Sequence, residues 1–464
     1  MTAPLYFLTI DEASRRIAAG TLSPVDLVQA VADRIAAVDA KLDSYVLPTV
    51  ETALAEARRA TGEIAAGRRR GPLHGIPVGI KDIIRTAGVR TTCHSHILAD
   101  DVPAEDAVVV ARLKAAGAIP MGKLATHEFA FGGPDWTLPF PPARNPWNRE
   151  HFTAGSSSGS GAAVAAGLCL GALGSDTAGS IRMPAAFCGI AGLKPTYGLV
   201  SRRGVYPLAF SLDHVGPMCW TSRDCALMLQ AIAGHDPDDP GSADRPVPDY
   251  AAALTGDVRG LRIGVVRHFY ETDDRADDET RAAMDAGFAV LRGLGAEVED
   301  VTLSPAQDYS ACGNILMLGE GFAVHEAELR TRPEKFGWIL RERLVLGGML
   351  SAADYIQASR LRRKLAAEME RALARCDVLV TAGAWSAAPR IDNVPPFQFF
   401  RRPSLMSPGN VSGLPALSVC NGFSASGLPL AMQVIGRRFD EATVLRVGDA
   451  FERATPWRDR RPEP

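Results

Sequence analysis

Apolar segments rich in β-branched residues alternate with helix-like segments along the whole 464-residue chain. "HGIPVGIKDII" at 74–84 is apolar and bounded by Gly and Pro, which is typical of a buried strand. Similar segments recur at 259–269, 376–385 and 416–423, and residues with helical spacing separate them. This alternation predicts the α/β class, with a central mixed, largely parallel twisted β-sheet covered by helices on both faces.

No internal repeat divides the chain, so we expect a single domain over residues 1–464. An N-terminal helical segment spans about 1–70, and Ser23 followed by Pro24 is typical of a helix start. A second helical segment spans about 305–375. Both segments are expected to pack on the central sheet rather than to fold as separate units.

The overall charge and the cysteine pattern restrict the class of protein. The formal net charge is −3, which does not favour nucleic acid or an anionic membrane as partner. The N-terminus does not resemble a signal peptide, and no apolar run reaches 18 residues. The eight cysteines form no CxxC pair, which indicates buried free thiols. We therefore expect a cytoplasmic protein.

Two serine-rich stretches stand out: "AGSSSGSGAA" at 154–163 and "GSDTAGSIRMPAAF" at 174–187. A flexible linker is the usual interpretation of such composition. The first stretch, however, continues directly into a helix of small residues, so it is held by packing. A Walker A phosphate loop requires Gly-Lys-Ser or Gly-Lys-Thr, and no lysine lies between residues 123 and 194. An active site is the remaining interpretation.

Ser157 formally matches the G-x-S-x-G nucleophile elbow, which requires an acid and then a histidine downstream. The last histidine is His325, and none of the downstream histidines follows a late strand in a Gly-rich loop. A serine nucleophile can instead use a neutral lysine, whereas arginine keeps its proton. Lys81 lies in the buried strand at 74–84, where burial lowers a lysine pKa. From composition alone, a packed lysine with its ammonium in water remains the alternative.

The motifs around these residues resemble those of the amidase signature enzymes. The resemblance covers nearly the whole chain. It rests on "GIPVGIKD" at 75–82, "AGSSSGSGAAVAAG" at 154–167, "GSDTAGSIRMPA" at 174–185, "GLPALSVCNGF" at 413–423 and "GLPLAMQVIG" at 427–436.

The resemblance implies a Ser–cis-Ser–Lys triad. Ser180 would be the nucleophile, Ser156 the bridging serine that follows a cis peptide bond, and Lys81 the base. The chain would need no metal and no organic cofactor. Four backbone N–H groups would form the oxyanion hole: those of Thr177, Ala178, Gly179 and Ser180.

We also make predictions for residues near the proposed triad. Ala154 and Ala178 replace family glycines, and an alanine is tolerated where φ stays negative. Asp176 and Arg182 are expected to brace the turn before and after Ser180 through an ion pair and backbone hydrogen bonds. Lys123 is expected to open a helical stretch as a structural or surface residue.

The substrate is less well specified. The resemblance places Phe131, Gly132 and Gly133 near the acyl group. Trp385 is either a pocket wall or part of the core, and the helical stretch 312–358 is either a pocket cover or core. "HSH" at 94–96 has no third ligand at a suitable spacing, so it does not predict a metal site.

Three functions follow as hypotheses. The first is a stand-alone hydrolase of a small-molecule amide, carbamate (urethane) or urea derivative, with a homodimer left open. The second is the glutaminase (A) subunit of a Glu-tRNA(Gln)/Asp-tRNA(Asn) amidotransferase, which requires a partner subunit. The third is a catalytically silent binding protein, which the presence of Lys81, Ser156 and Ser180 disfavours.

Overall fold

The structure is a computed structural model that describes residues 4–464. Eleven strands form one sheet in the order β1-β3-β2-β4-β6-β5-β10-β11-β9-β7-β8. The strands are β1 (Tyr45–Pro48), β2 (Pro77–Lys81), β3 (Ile119–Leu124), β4 (Gly171–Asp176), β5 (Ala191–Lys194), β6 (His214–Cys219), β7 (Arg262–Val265), β8 (Glu297–Asp300), β9 (Val378–Ala382), β10 (Ala416–Phe423) and β11 (Pro429–Gly436).

Helices cover both faces of this sheet, as the alternating pattern predicts. They are α1 (Ile10–Ala18), α2 (Pro24–Val38), α3 (Val50–Ala65), α4 (Val108–Ala115), α5 (Ser158–Ala166), α6 (Arg182–Cys188), α7 (Ser222–Ile232), α8 (Asp278–Gly293), α9 (Ala306–Thr331), α10 (Trp338–Gly348), α11 (Ala352–Leu373), α12 (Gln398–Arg401), α13 (Ser407–Ser412) and α14 (Glu441–Ala454).

The mixed α/β architecture is confirmed, but the sheet is not largely parallel. Six of its ten strand pairings are antiparallel. The parallel pairings lie in two groups, β3-β2-β4 and β8-β7-β9, on either side of an antiparallel centre. Antiparallel neighbours such as β10 and β11 need only a short connection and no helix between them. The alternation of strand-like and helix-like segments does not show which strands will pair antiparallel.

The parallel group β3-β2-β4 positions the serine-rich segments. Strand β2 pairs in parallel with β4, with Ile80 opposite Leu173. Parallel strands end at the same edge of a sheet. Lys81 at the end of β2 and the residues that follow Leu173 in β4 therefore meet at that edge.

Helix α5 packs closely because its residues are small. All nine of its residues are buried, and the helix ends at Gly167, whose φ is +77°. A Cβ at Gly159 would lie only 2.4 Å from the Ser44 carbonyl oxygen, so this position requires glycine. The loop before α5 is thus held by a tightly packed helix, as expected from its composition.

The N-terminal segment contains the predicted helices, and Ser23 caps α2 with Pro24 in the first turn. It also contains β1, which we expected to be helical. Strands β5, β6, β8 and β11 were not predicted either. β5 and β8 have four residues each, too few for the alternation of apolar and polar residues to be recognised. β6 and β11 are buried along their whole length, so they do not show that alternation. The division into one domain with two helical segments stays a prediction, although strands from both halves of the chain share the sheet.

The cysteines agree with the sequence interpretation. All eight are free thiols, and all but Cys420 are buried. Within residues 4–464, no helix has the length and apolarity needed to cross a membrane.

Candidate active site

Lys81 lies at the end of β2, fully buried among three serines. Its Nζ donates to Ser156 Oγ at 2.7 Å, Ser157 Oγ at 3.0 Å and Ser175 Oγ at 2.8 Å. All three acceptors are neutral hydroxyls. Burial lowers the pKa of Lys81 to about 7, although Asp176 partly opposes this shift. The amine can therefore be neutral near physiological pH, as a general base must be.

The serine loop meets the nucleophile turn directly. The Gly155–Ser156 peptide bond is cis, as the resemblance implies. The Ser157 N–H donates to the Ser180 carbonyl oxygen at 3.2 Å, which holds the two serine-rich segments together. Ser180 is half-buried. Its hydroxyl makes no hydrogen bond to any of residues 4–464, so Lys81 and Ser156 are directly linked while Ser180 lies beside them with an open hydroxyl.

Asp176 organises the turn that carries Ser180. It pairs with Arg182 through two hydrogen bonds of 3.0 Å, and both side chains are fully buried. Asp176 also accepts the backbone N–H groups of Gly179 at 2.8 Å and Ile181 at 3.1 Å. Burial alone would raise the pKa of Asp176, but the Arg182 guanidinium outweighs it and holds that pKa below its usual range. The predicted bracing of this turn is confirmed.

Sequence reasoning missed two polar residues that complete this network. Asn410 donates its side-chain N–H to Asp176 Oδ1 at 2.8 Å, and both Asn410 and Gln433 accept from Arg182. Both residues lie beside or within the late Gly-Leu-Pro motifs, but only the fold brings them to the turn. The motifs could have drawn attention to these residues, but nothing in them indicates that the partner is Arg182.

The predicted oxyanion donors are not equivalent in the structure. The Gly179 N–H is already bonded to Asp176 Oδ1. Among residues 4–464, the N–H groups of Thr177, Ala178 and Ser180 have no backbone partner, so these three are free to meet an oxyanion. The φ of Gly179 is +117°, and a Cβ there would lie 2.6 Å from Met406 Cβ. The turn therefore depends on glycine at 179.

The two alanine substitutions in the family motifs differ in backbone conformation. Ala178 keeps a negative φ, as we expected of a tolerated replacement. Ala154 has a φ of +59°, in the left-handed region that favours glycine. The condition under which we expected alanine to be tolerated is therefore not met at Ala154. Its methyl group packs in a small apolar cluster with Phe152 and Ala186, which opposes the strain.

Residues 131–133 form a loop that α10 covers. Ile339 of α10 lies against Gly133, where a Cβ would come within 3.3 Å of its Cδ1. Arg343 of the same helix donates to the carbonyl oxygens of Phe131 and Gly132. The helical segment thus contacts the loop that the resemblance assigns to the acyl group.

Trp385 follows β9 and is half-buried. Its Nε1 donates to the Pro403 carbonyl oxygen at 3.0 Å, and the Arg402 guanidinium lies 4.3 Å from its ring. These contacts fix the indole in one orientation. No hydrogen bond joins Trp385 to Lys81, Ser156 or Ser180, and its role as a pocket wall stays a prediction.

The histidines do not complete a Ser157 triad. Ser157 Oγ is bonded to Lys81 Nζ and to the backbone of Ser175. Among the downstream histidines, His214 bonds only to backbone carbonyls, with Nδ1 2.6 Å from the Leu212 oxygen. Its pKa is held well below the usual value, first by burial and then by Lys194. The contacts of Ser157 position Lys81.

His127 is a residue of the site that the sequence did not reveal. Its ring lies against Gly155, where a Cβ would come within 2.0 Å of Cε1, and its backbone N–H donates to the Ser156 carbonyl oxygen. Burial lowers the pKa of His127 to about 3, with further contributions from Arg343 and Lys81. It is therefore uncharged at neutral pH, packs behind the serine loop and is a much weaker proton acceptor than Lys81.

Lys123 does not open a helix. It lies in β3, fully buried, with Nζ 3.2 Å from Asp82 Oδ1 and 2.8 Å from the Ile84 carbonyl oxygen. Its structural role is supported, but its predicted location was wrong because a single lysine after Gly is compatible with either a strand or a helix. Within residues 4–464, no cluster of His, Cys, Asp or Glu could hold a metal ion.

A small cavity adjoins the site. It has a volume of about 130 Å³, and its lining includes Ser175, Thr177, Ala130, Asp213 and Tyr206. Ser175 is the lining residue whose hydroxyl accepts from Lys81. Pockets for drug-sized ligands begin near roughly 300 Å³, so this cavity suits a very small molecule.

The family model described as Amidase matches residues 26–445. The chain belongs to the amidase signature family. Members cleave or transfer amide C–N bonds, and this is the enzyme class of the chain.

Several relatives of this amidase signature enzyme belong to amidotransferases. The A subunit of the glutamyl-tRNA(Gln) amidotransferase of Roseiflexus castenholzii is 44% identical, over 99% of this chain and 98% of the relative. The corresponding protein of Geobacter metallireducens is 43% identical, over 98% of both chains. Both alignments run nearly end to end.

Two solved structures share the whole fold. The A subunit of the glutamyl-tRNA(Gln) amidotransferase of Thermotoga maritima has 34% identity and a TM-score of 0.83, over 98% of this chain and 96% of that chain. Native peptide amidase from Stenotrophomonas maltophilia has 33% identity and a TM-score of 0.86, over 98% of each chain.

These relatives overturn one expectation. We expected a protein without a nucleic-acid partner that acts on a small-molecule amide, alone or as a homodimer. The relatives at 41–44% identity are instead subunits of enzymes named for a tRNA. The expectation was wrong because a net charge of −3 averages over the molecule, and an average says nothing about an assembly with other subunits.

Proposed function

We propose that this chain is the glutamine-hydrolysing A subunit of a tRNA-dependent amidotransferase. The observation that carries the proposal is the 44% identity to the same subunit of a glutamyl-tRNA(Gln) amidotransferase over almost the full length of both chains. The chain would release ammonia from the side-chain carboxamide of glutamine. A partner subunit would then use that ammonia.

The proposed chemistry follows from the contacts of Lys81. Neutral Lys81 accepts a proton from Ser156, which takes one from Ser180 as Ser180 Oγ attacks the carboxamide carbon. The Lys81–Ser156 distance of 2.7 Å supports the first transfer. The tetrahedral oxyanion is held by backbone N–H groups of the turn; losing one such donor typically costs about 3 kcal/mol.

The proton then returns through Ser156 to the nitrogen, and ammonia leaves. Water attacks the resulting acyl-Ser180 ester and gives up its proton to Ser156 and Lys81. The bond between the acyl carbon and Ser180 Oγ then breaks, the proton returns through Ser156 to Ser180 Oγ, and the carboxylic acid is released. The cavity of about 130 Å³ beside Ser175 and Thr177 supports a leaving group as small as ammonia.

The test is a glutaminase assay with the chain alone and co-expressed with the other amidotransferase subunits of its organism. We expect ammonia and glutamate from L-glutamine, co-purification of the partner subunits, and amidation of misacylated tRNA by the complex. Ser180→Ala should abolish all turnover. Ser158→Ala is the matched control, because Ser158 begins α5 directly after Ser156 and Ser157 but its hydroxyl donates only to the Ala125 carbonyl oxygen among residues 4–464.

A second candidate is hydrolysis of amides without partner subunits. The observation that favours it is the superposition on peptide amidase, whose TM-score of 0.86 exceeds the 0.83 of the Thermotoga protein. Peptide C-terminal amides therefore belong in the same assay. Rapid turnover of a peptide amide by the chain alone, with no glutaminase activity and no co-purifying partner, would replace the first proposal by the second.

A further inference from the structure

The strand that follows Asp213 runs beside the strand that leads into the nucleophile turn. Strands β4 and β6 pair antiparallel, with Asp176 opposite His214. In such a pair the next residue of one strand faces the preceding residue of the other, so Thr177 and Asp213 meet one step further on. The Thr177 hydroxyl donates to Asp213 Oδ1 at 2.6 Å. A bond between side chains thus extends the strand pairing into the turn.

Asp213 is itself held by the loop that precedes β6. Its Oδ2 accepts the backbone N–H of Leu208 at 2.9 Å and that of Ala209 at 3.0 Å. Among residues 4–464, no lysine or arginine forms an ion pair with Asp213. Burial raises the pKa of Asp213, but its hydrogen-bond partners are all donors and favour the ionised carboxylate. Asp213 is therefore a fixed acceptor for the Thr177 hydroxyl.

Contacts place this pair beside the candidate active site. Thr177 is two residues after Ser175, whose hydroxyl accepts from Lys81 Nζ at 2.8 Å. Thr177, Asp213 and Ser175 line the same cavity of about 130 Å³. The bond between Thr177 and Asp213 therefore lies in the wall of the cavity that adjoins the site.

The hydroxyl bond restricts the conformation of Thr177. A threonine hydroxyl has one proton, and here it is donated to Asp213. Because χ1 of a β-branched residue has few positions, fixing Oγ1 also fixes the Cα that joins two peptide groups of the turn. The N–H groups of these peptides belong to Thr177 and Ala178, and neither has a backbone partner among residues 4–464. Asp176 holds the turn at a later point, the Gly179 N–H.

We propose that Asp213 is a positioning residue, which acts through the Thr177 hydroxyl and holds the start of the turn so that the Thr177 and Ala178 N–H groups can bind the oxyanion. Asp213 itself touches no reacting atom. The inference rests on the oxyanion role proposed for this turn and not on whether glutamine is the substrate. Because the substrate carries no oxyanion before it reacts, loss of the bond should lower kcat and leave KM nearly unchanged.

The test compares Thr177→Val, Thr177→Ser, Asp213→Asn and the double variant that combines Thr177→Val with Asp213→Asn. Valine has the shape of threonine without the hydroxyl, whereas serine keeps the hydroxyl. In Asp213→Asn the amide oxygen can still accept from the loop, so Nδ2 faces Thr177 and the charge-assisted bond is lost.

Asp236→Asn is the matched control. Asp236 also accepts from a hydroxyl, that of Ser201 at 2.6 Å, but it makes no hydrogen bond to residues 174–187. Two substrates are used: L-glutamine, and p-nitrophenyl butyrate, whose hydrolysis releases p-nitrophenol. Ser180→Ala shows that this release depends on the nucleophile. A wild-type chain that hydrolyses the ester but not glutamine would contradict the proposed function and leave this test intact.

We expect Thr177→Val and Asp213→Asn each to lower kcat by a factor of about 10 or more, and the double variant by about the same factor, because both changes break one bond. Thr177→Ser and Asp236→Asn should stay close to wild type, and Tm shows that each variant is folded. Wild-type kcat in folded Thr177→Val would overturn the proposal, as would single effects that multiply in the double variant. If Asp213→Asn does not fold, an equal loss in Thr177→Val and Thr177→Ser would overturn it, because serine retains the hydroxyl.

Discussion

At the scale of single residues, Lys81 shows how an ordinary strand residue becomes a base. Its stem fills the sheet interior, and its amine meets only hydroxyl groups, Ser156 and Ser157 among them. No carboxylate among residues 4–464 bonds to it, so burial dominates its pKa. An arginine in the same place would remain charged and could accept no proton.

The lowered pKa of Lys81 predicts the pH profile of acylation. Only the deprotonated amine can act as base, so kcat/KM should rise with pH and level off above an apparent pKa of about 7. The measurement is the initial rate with an uncharged amide between about pH 5 and 9. Lys81→Arg should be inactive throughout this range. A flat profile, or activity in Lys81→Arg, would contradict the assignment of Lys81 as base.

At the scale of elements, α10 is held to the site by two charged residues. Arg343 bonds to the 131–133 loop, and the Gly337 N–H before the first turn donates to Glu128 Oε2 at 2.9 Å. Glu128 is buried and also accepts from Ser95. Burial, aided by nearby Asp135, raises the pKa of Glu128 to about 7 despite these hydrogen bonds.

Glu128 therefore makes stability depend on pH. A carboxyl group with a raised pKa binds its proton more tightly when folded, so the free energy of unfolding falls as pH rises from about 4.5 to about 7. Glu128→Gln removes this dependence. The free energy of unfolding of the variant minus that of wild type should increase by up to about 3 kcal/mol as pH rises from about 4.5 to about 8. Urea unfolding of both proteins at these two pH values measures the difference.

The control for Glu128→Gln is Glu326→Gln, which removes one carboxylate from a surface ion pair with Arg330 on α9. Surface pairs contribute little to stability, so its difference from wild type should be small at both pH values. An unfolding free energy of Glu128→Gln that runs parallel to that of wild type across the pH range would contradict the prediction.

At the scale of the whole molecule, one eleven-stranded sheet carries the site at the ends of β2 and β4. Helices on both faces bury almost every cysteine. Cys420 is half-buried, but burial raises its pKa to about 12, so only a very small fraction of this thiol is ionised at neutral pH. Thiol reactivity thus reports on the integrity of the entire fold.

This arrangement predicts slow modification of the native protein by Ellman's reagent. At about pH 8 we expect at most one thiol to react within minutes, and all eight to react after unfolding in guanidinium chloride. The absorbance of the released thionitrobenzoate measures both. Rapid reaction of several thiols in the native protein would show that the helical layers open more readily than their packing indicates.

Much of the architecture follows from local chemistry that a sequence contains. Ser23 and Pro24 mark the start of α2, and the small residues of α5 require close packing wherever the helix lies. The short strand β5 could not be predicted, because four residues are too few to show a periodic pattern. Its two neighbours in the sheet, β10 and β6, come from other parts of the chain. Partners in a sheet are chosen by tertiary packing.

The order of amino acids is enough to establish which residue types are available for catalysis: a lysine on a buried strand, serines in tight loops, and no suitably placed late histidine. The contacts themselves come from the folded chain, such as the 2.7 Å between Lys81 and Ser156 or the link from Asn410 to Asp176. The reason is physical. Hydrogen bonding and burial act over a few ångströms, and folding alone brings residues 75 and 234 positions apart within that range.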